Sequence, residues 1–212
     1  MRYYKKTIFF VISLVHKVVF IHIPKCAGQS IEETFLNDLN LSWDDHRYLF
    51  GCFEKPISWD KNIPDRLAHL TAKEILEFNL LPEEIFNSFY KFTIVRDPLD
   101  RLVSSWNYLN LDDDFNDWVN STVVLGQKSN NYFFKSQSDY LLDENNKLMV
   151  DDIIPFKSLE STSHSFYNYL LNISSLSHRN ASKKRAIDIS EATKRLIKDL
   201  YQKDYEFLES YF

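Results

Sequence analysis

Two short stretches hold the residue types that could grip an anion. The first, "VVFIHIPKCAGQS", places one lysine, Lys25, and one glycine, Gly28, between an apolar run and a helix-like segment. A strand, a tight loop and a helix start form a phosphate-binding arrangement, because the unpaired N–H groups and dipole of a helix N-terminus favour negative charge. The loop Pro24, Lys25, Cys26, Ala27, Gly28, Gln29 and Ser30 would present the amides of Ala27 to Ser30, and Lys25 adds a mobile cation. A nucleoside triphosphatase loop ends in Gly-Lys-Ser/Thr. Here Gln29 and Ser30 follow Gly28, so the lysine of that chemistry is missing from its place. The same residues also allow a helix merely capped by Ser30, and Glu32 and Glu33 in its first turns would work against an anion. The second stretch is "VRDPLDRLVSSW", where Arg96 leaves a strand and Ser104 lies two turns into the next helix. A guanidinium and a hydroxyl so placed could converge on one phosphate. Alternatively Arg96 pairs with a carboxylate and Ser104 packs.

The elements that must position these residues follow from pattern. Val18 to Ile23 is a β-branched run suited to a buried parallel strand, ended by Pro24, and "FTIV" at Phe92 to Val95 is a second. Ser30-Ile-Glu-Glu33 reads as a capping box opening a helix to about Leu39, and Thr71-Ala-Lys-Glu74 as a second box opening one to about Phe78. Pro82 starts another short helix. Asp97 as N-cap with Pro98 at the first helical position starts the helix that carries Ser104. "LDDDFNDWVNST" is partly helical, and a hairpin-like element is expected around Asn145-Asn146. Phe166 to Leu171 and Ser190 to Tyr211 have helical periodicity, and residues 40–64 read as irregular. Strands alternating with helices predict an α/β fold with a mostly parallel central sheet flanked by helices. Ligands of such sheets bind beyond the C-terminal strand ends, where both stretches fall.

The bulk numbers fit one domain over residues 1–212, with 1–17 as an N-terminal extension or extra strand. A net charge of -5 disfavours nucleic acid as a partner. Cys26 and Cys52 are expected to be free thiols, without metal-like spacing. The apolar run Ile8 to Val15 is about half of what a membrane span needs, so no stable span is expected. A cytoplasmic location is the expectation, with anchorage through residues 7–15 as the alternative. The acceptor-like triplets at Asn120, Asn172 and Asn180 are read as coincidence.

Taken together, "IPKCAGQS" and "RDPLDRLVSSW" resemble the 5′-phosphosulfate loop and the 3′-phosphate motif of the sulfotransferases. The likeness is to the carbohydrate-type branch with heparan sulfate 2-O-sulfotransferase-like and bacterial members. "AHLT", "SQSDYLLDENNKLMVDDIIPFKSLE", "LSHRNAS" and "YQKDYEFLESYF" follow in the family's order, so the resemblance runs nearly throughout after residue 17. Gln29 departs from it, since Thr or Ser is usual there. The resemblance implies a P-loop-like sulfotransferase fold and 3′-phosphoadenosine 5′-phosphosulfate (PAPS) as donor, without a metal. Lys25 would then neutralise charge on the leaving oxygen, and Arg96 and Ser104 would hold the 3′-phosphate. Gln137, Ser138, Asn180 and Ser182 match segments that line or cover the nucleotide.

An acceptor hydroxyl needs a general base as it attacks sulfur. His69, just before the helix capped by Thr71, matches the position of the histidine base in the 2-O-type enzymes. His46, Glu54 and Asp65 are the reserve bases, and His22 is expected to be structural. Trp43, Trp59, Trp106 and Trp118 could stack a base or a sugar, though most should be core. The reading is a sulfotransferase acting on a hydroxyl of a carbohydrate or glycan, with its acceptor pocket built from residues 40–65 and 107–135. A P-loop-type nucleotide kinase and a catalytically silent nucleotide- or glycan-binding module are the alternatives.

Overall fold

A computed structural model describes residues 11–45, 67–109, 111–161, 163–177 and 186–211. Four strands form one sheet in the order β1-β2-β3-β4: β1 Val11–Ser13, β2 Val18–Ile21, β3 Tyr90–Val95 and β4 Asp152–Pro155. Strand β1 pairs antiparallel with β2 through Val11↔Phe20 and Ser13↔Val18. The pairs β2–β3 and β3–β4 are parallel, with Phe20 opposite Phe92 and Ile94 opposite Ile154. Parallel neighbours need long crossovers. Here they hold α1 (Gly28–Asp38), α2 (Ala72–Glu77) and α3 (Glu83–Ser88), then α4 (Pro98–Leu109), α5 (Phe115–Trp118) and α6 (Val124–Lys128). The chain closes with α7 (Glu191–Leu200) and α8 (Gln202–Leu208).

Local chemistry explains most boundaries. Thr71 caps α2 in a full capping box, its hydroxyl accepting from the Glu74 N–H while the Glu74 carboxylate accepts from the Thr71 N–H. Asp97 accepts from the Asp100 N–H at 3.0 Å, and Pro98 opens α4. Asp114 caps α5, which runs through a π-helical turn at Val119–Val123 into α6. The predicted hairpin is a tight turn: Leu142 bridges Leu148, and Asn146 takes a φ of 60°. The segment near Phe166 is a 3₁₀ helix over Ser165–Tyr169 rather than an α-helix.

Two expectations change. The helix after the first loop begins at Gly28, so Ser30 lies inside it and no side chain caps α1. The C-terminal helix is broken at Tyr201, where the buried hydroxyl donates to the Phe134 carbonyl and Asp204 turns inward. Those tertiary bonds fix the break.

The main core lies on the sheet, with Ile31, Phe35 and Leu36 of α1 against Phe20, Phe92 and Ile94. Phe92 is stacked on Phe166 at 5.2 Å. A second cluster gathers Leu102, Trp106, Phe115, Trp118, Phe134, Ile197 and Tyr201. Trp106 and Trp118 are thus core residues, Trp43 packs partly buried on the main core, and Trp59 lies outside the described residues.

Candidate active site

The loop leaving β2 is held in an unusual backbone. Lys25 and Ala27 take left-handed φ values of 66° and 59°, which cost non-glycine residues on the order of 1–3 kcal/mol each. Left-handed residues in such a loop can turn neighbouring N–H groups toward one concavity, as in anion-binding nests. The Cys26 N–H bonds back to Ile23 and the Ser30 N–H to the Ala27 carbonyl at 2.9 Å, so the amide row ends before Ser30.

Gly28 has a steric reason to be glycine. A Cβ there would lie 1.8 Å from His22 Nε2 and within 2.2 Å of two ring carbons. His22, just past β2, lays its imidazole on the start of α1. Its Nδ1 is 3.2 Å from Glu32 Oε1, an ion-pair distance without hydrogen-bond alignment. Glu32 is buried and turned to His22 rather than lying in the first turn of α1.

His22 also reaches the predicted base. Its carbonyl accepts from His69 Nδ1 at 2.9 Å, and the two rings meet edge to face at 4.4 Å. A proton on Nδ1 leaves the ring lone pair on Nε2, the tautomer a general base requires. His69 therefore sits beside the strand exit that leads to Lys25. Of the reserve bases, His46, Glu54 and Asp65 all lie outside the described residues, as does Cys52.

Arg96 leaves β3 next to this loop. One guanidinium nitrogen approaches the Lys25 carbonyl at 3.5 Å, the guanidinium covers the Phe156 ring at 4.4 Å, and the buried Nε has no hydrogen-bond partner among the described residues. Burial and then the positive charge of Arg96 lower the Lys25 ammonium to about 8. Two cations are thus crowded at the ends of neighbouring parallel strands. Cys26 is a buried free thiol pushed up to about 11, chiefly by burial, and is no thiolate at neutral pH.

Gln137 is fully buried, and its side chain clamps Arg96: Oε1 accepts from the Arg96 N–H at 2.9 Å and Nε2 donates to the Arg96 carbonyl at 2.7 Å. Ser138 is equally buried and gives both its N–H and hydroxyl to Asp204. Ser104 lies buried on α4. Asn180 and Ser182 lie outside the described residues.

Spacing alone misses two residues. Arg101 is buried and donates to the carbonyls of Pro24, Lys135 and Phe133 at 2.9–3.1 Å, tying α4 to the loop and to the turn before Gln137. Tyr108, at the end of α4, sits under Lys25 with Nζ 3.8 Å from its ring centroid. Arg101 was visible as the second arginine of "RDPLDR", but its three partners are distant in sequence.

Residues 9–159 match the model of the Sulfotransferase family, and the chain belongs to that family. It is a sulfotransferase. No curated protein and no solved structure matches the chain. Among the described residues no cluster of metal-ligating side chains occurs, and no helix is long and apolar enough to cross a membrane.

Proposed function

We propose that this sulfotransferase, on a P-loop-like fold and as one domain, moves a sulfuryl group from PAPS to a hydroxyl of a carbohydrate or glycan. The reading places it in the carbohydrate-type branch and in the cytoplasm. The observation that carries it is the crowding of Lys25 and Arg96 at an uncapped, nest-shaped helix start, a cost that an anion would relieve.

In this reading the first-turn amides of α1 and Lys25 receive the 5′-phosphosulfate. Arg96 and Ser104 take the 3′-phosphate, and Gln137 holds the Arg96 backbone for that task. Pro24 and Cys26 shape the loop, Gln29 joins its amide row, and Ser138 lines the nucleotide site beside Gln137, their turn fixed by Asp204. Asn180 and Ser182 would cover the nucleotide. His69 Nε2 takes the acceptor proton as the hydroxyl oxygen bonds to sulfur in line. The bond from sulfur to the bridging phosphate oxygen breaks, and its electron pair stays on that oxygen. Lys25 stabilises the charge that builds there, a contribution of about 3–4 kcal/mol. No metal is needed for these steps.

The test is release of 3′-phosphoadenosine 5′-phosphate from PAPS in the presence of a panel of neutral and acidic glycans. Lys25→Ala should cut the rate by about 10²–10³-fold, and His69→Ala by about 10²–10⁴-fold. Variants that turn over like the native protein would contradict the assigned roles.

A further inference from the structure

The rings that touch the catalytic lysine and histidine form one continuous series. Lys25 Nζ stands 3.8 Å above the Tyr108 ring. Tyr108 is stacked on Phe133 at 6.5 Å, and Phe133 meets Tyr132 at 6.1 Å and 88°. Tyr132 is stacked on His69 at 5.6 Å and 18°. The series joins the last turn of α4 to the 131–134 turn, and Arg101 fixes that same turn by donating to the Phe133 carbonyl. These aromatics belong to no sequence motif, and Tyr108, a residue 59% exposed, is in neither core cluster of the described residues.

We propose that Tyr108 and Tyr132 are positioning residues joined through Phe133, Tyr108 holding the Lys25 ammonium by its ring face and Tyr132 holding His69 turned to its Nδ1 bond. The inference rests on the roles assigned to Lys25 and His69 above. A ring face attracts the ammonium and not the neutral amine. Tyr108 therefore opposes burial and Arg96, which lower the Lys25 titration, and acts in the same direction as the weaker influence of Cys26. These groups come from the loop itself, from the end of β3 and from α4. A stacked neighbour on His69 restricts ring rotation, so Nε2 keeps one direction while Nδ1 stays on the His22 carbonyl.

Tyr108 is tested in the ligand-free protein by the rate at which an amine-reactive label modifies Lys25 as pH is varied, read by peptide mass spectrometry. Tyr108→Leu should lower the Lys25 acid–base equilibrium by about 2- to 5-fold, a downward move of roughly half a pH unit. Tyr108→Phe should leave it in place, and Tyr108→Trp should raise it. An unmoved midpoint in both Tyr108→Leu and Tyr108→Trp overturns the Tyr108 assignment. Tyr132 is tested by turnover: Tyr132→Leu should lower kcat with the donor KM unchanged, and Tyr132→Phe should retain both. Equal losses in Tyr132→Leu and Tyr132→Phe would transfer the effect to the hydroxyl and overturn holding by the ring. The labelling needs neither donor nor acceptor, so it reads the Tyr108 contact even if 3′-phosphoadenosine 5′-phosphate fails to bind and the functional reading fails.

Discussion

Replacing Gly28 by alanine distinguishes a helix start roofed by the His22 ring from an open one. At the first position of an unobstructed helix, Gly→Ala should stabilise, by up to about 1 kcal/mol. At Gly28 the added methyl would lie 1.8 Å from His22 Nε2. Ordinary carbon contacts are about 3.5–4.0 Å, so the ring must withdraw by roughly 2 Å. It has little room to do so. Phe20 is stacked on it at 5.6 Å, His69 meets its edge at 4.4 Å, and Glu32 stands 3.2 Å from Nδ1. Overpacking of this kind costs about 1–3 kcal/mol, so the sign is reversed. Urea unfolding should show the midpoint of Gly28→Ala falling. Adding His22→Ala removes the obstacle, and the double variant should be less destabilised than the two single losses combined, a coupling on the order of 0.5 kcal/mol or more, as expected for touching residues. A Gly28→Ala protein as stable as the native one, or strict additivity with His22→Ala, would refute the reasoning.

Four further outcomes follow from the charged groups. Lys25 titrates near 8 because burial and Arg96 disfavour its ammonium, so donor kcat/KM should fall as pH rises through about 8. Arg96→Gln removes a like charge, and the falling limb should move to higher pH even as its height drops. Asp38 is buried and accepts from His16 and the N–H groups of Leu171, Asn172 and Ile173. Burial raises its pKa, but these donors prevail and it lies below the ordinary value. A carboxylate with a depressed folded pKa contributes stability above its unfolded pKa and loses it as pH falls through the folded one. Asp38→Ala strips these donors of their acceptor and should cost about 1–3 kcal/mol at pH 7, with the gap to the native protein narrowing in urea melts at strongly acidic pH. Arg101→Lys cannot make the three-carbonyl fork, and thermal melting should show a loss on the order of 3 kcal/mol.

The parts of the fold legible in the sequence are those whose cause is local. Asp97-Pro98 and Thr71 with Glu74 stop or start helices through partners three residues away, and both stand as read. The β-branched runs of β2 and β3 need only their own burial. Ser30 with Glu33 has the same local pattern as Thr71 with Glu74, yet the chain enters α1 at Gly28, beneath the His22 ring. That choice is tertiary, and so is the break at Tyr201. The site divides in the same way. Lys25, Arg96 and His69, to which we assign the chemistry, stand out in the sequence because loop, strand end and capped helix mark them. His22 is structural, as its place after the strand suggests, but that its carbonyl holds His69 across 47 positions is not a local signal. Tyr108 and Arg101 likewise act on residues far along the chain, which no spacing rule reaches.

The donor is the central claim, and calorimetric titration tests it most directly. 3′-Phosphoadenosine 5′-phosphate should bind about 10- to 150-fold tighter than ADP, the worth of charge-assisted bonds of about 1.5–3 kcal/mol to the 3′-phosphate. Arg96→Ala should erase most of that difference while sparing ADP. Equal affinity for the two nucleotides, or a preference for ATP with Mg²⁺, would contradict PAPS as the donor.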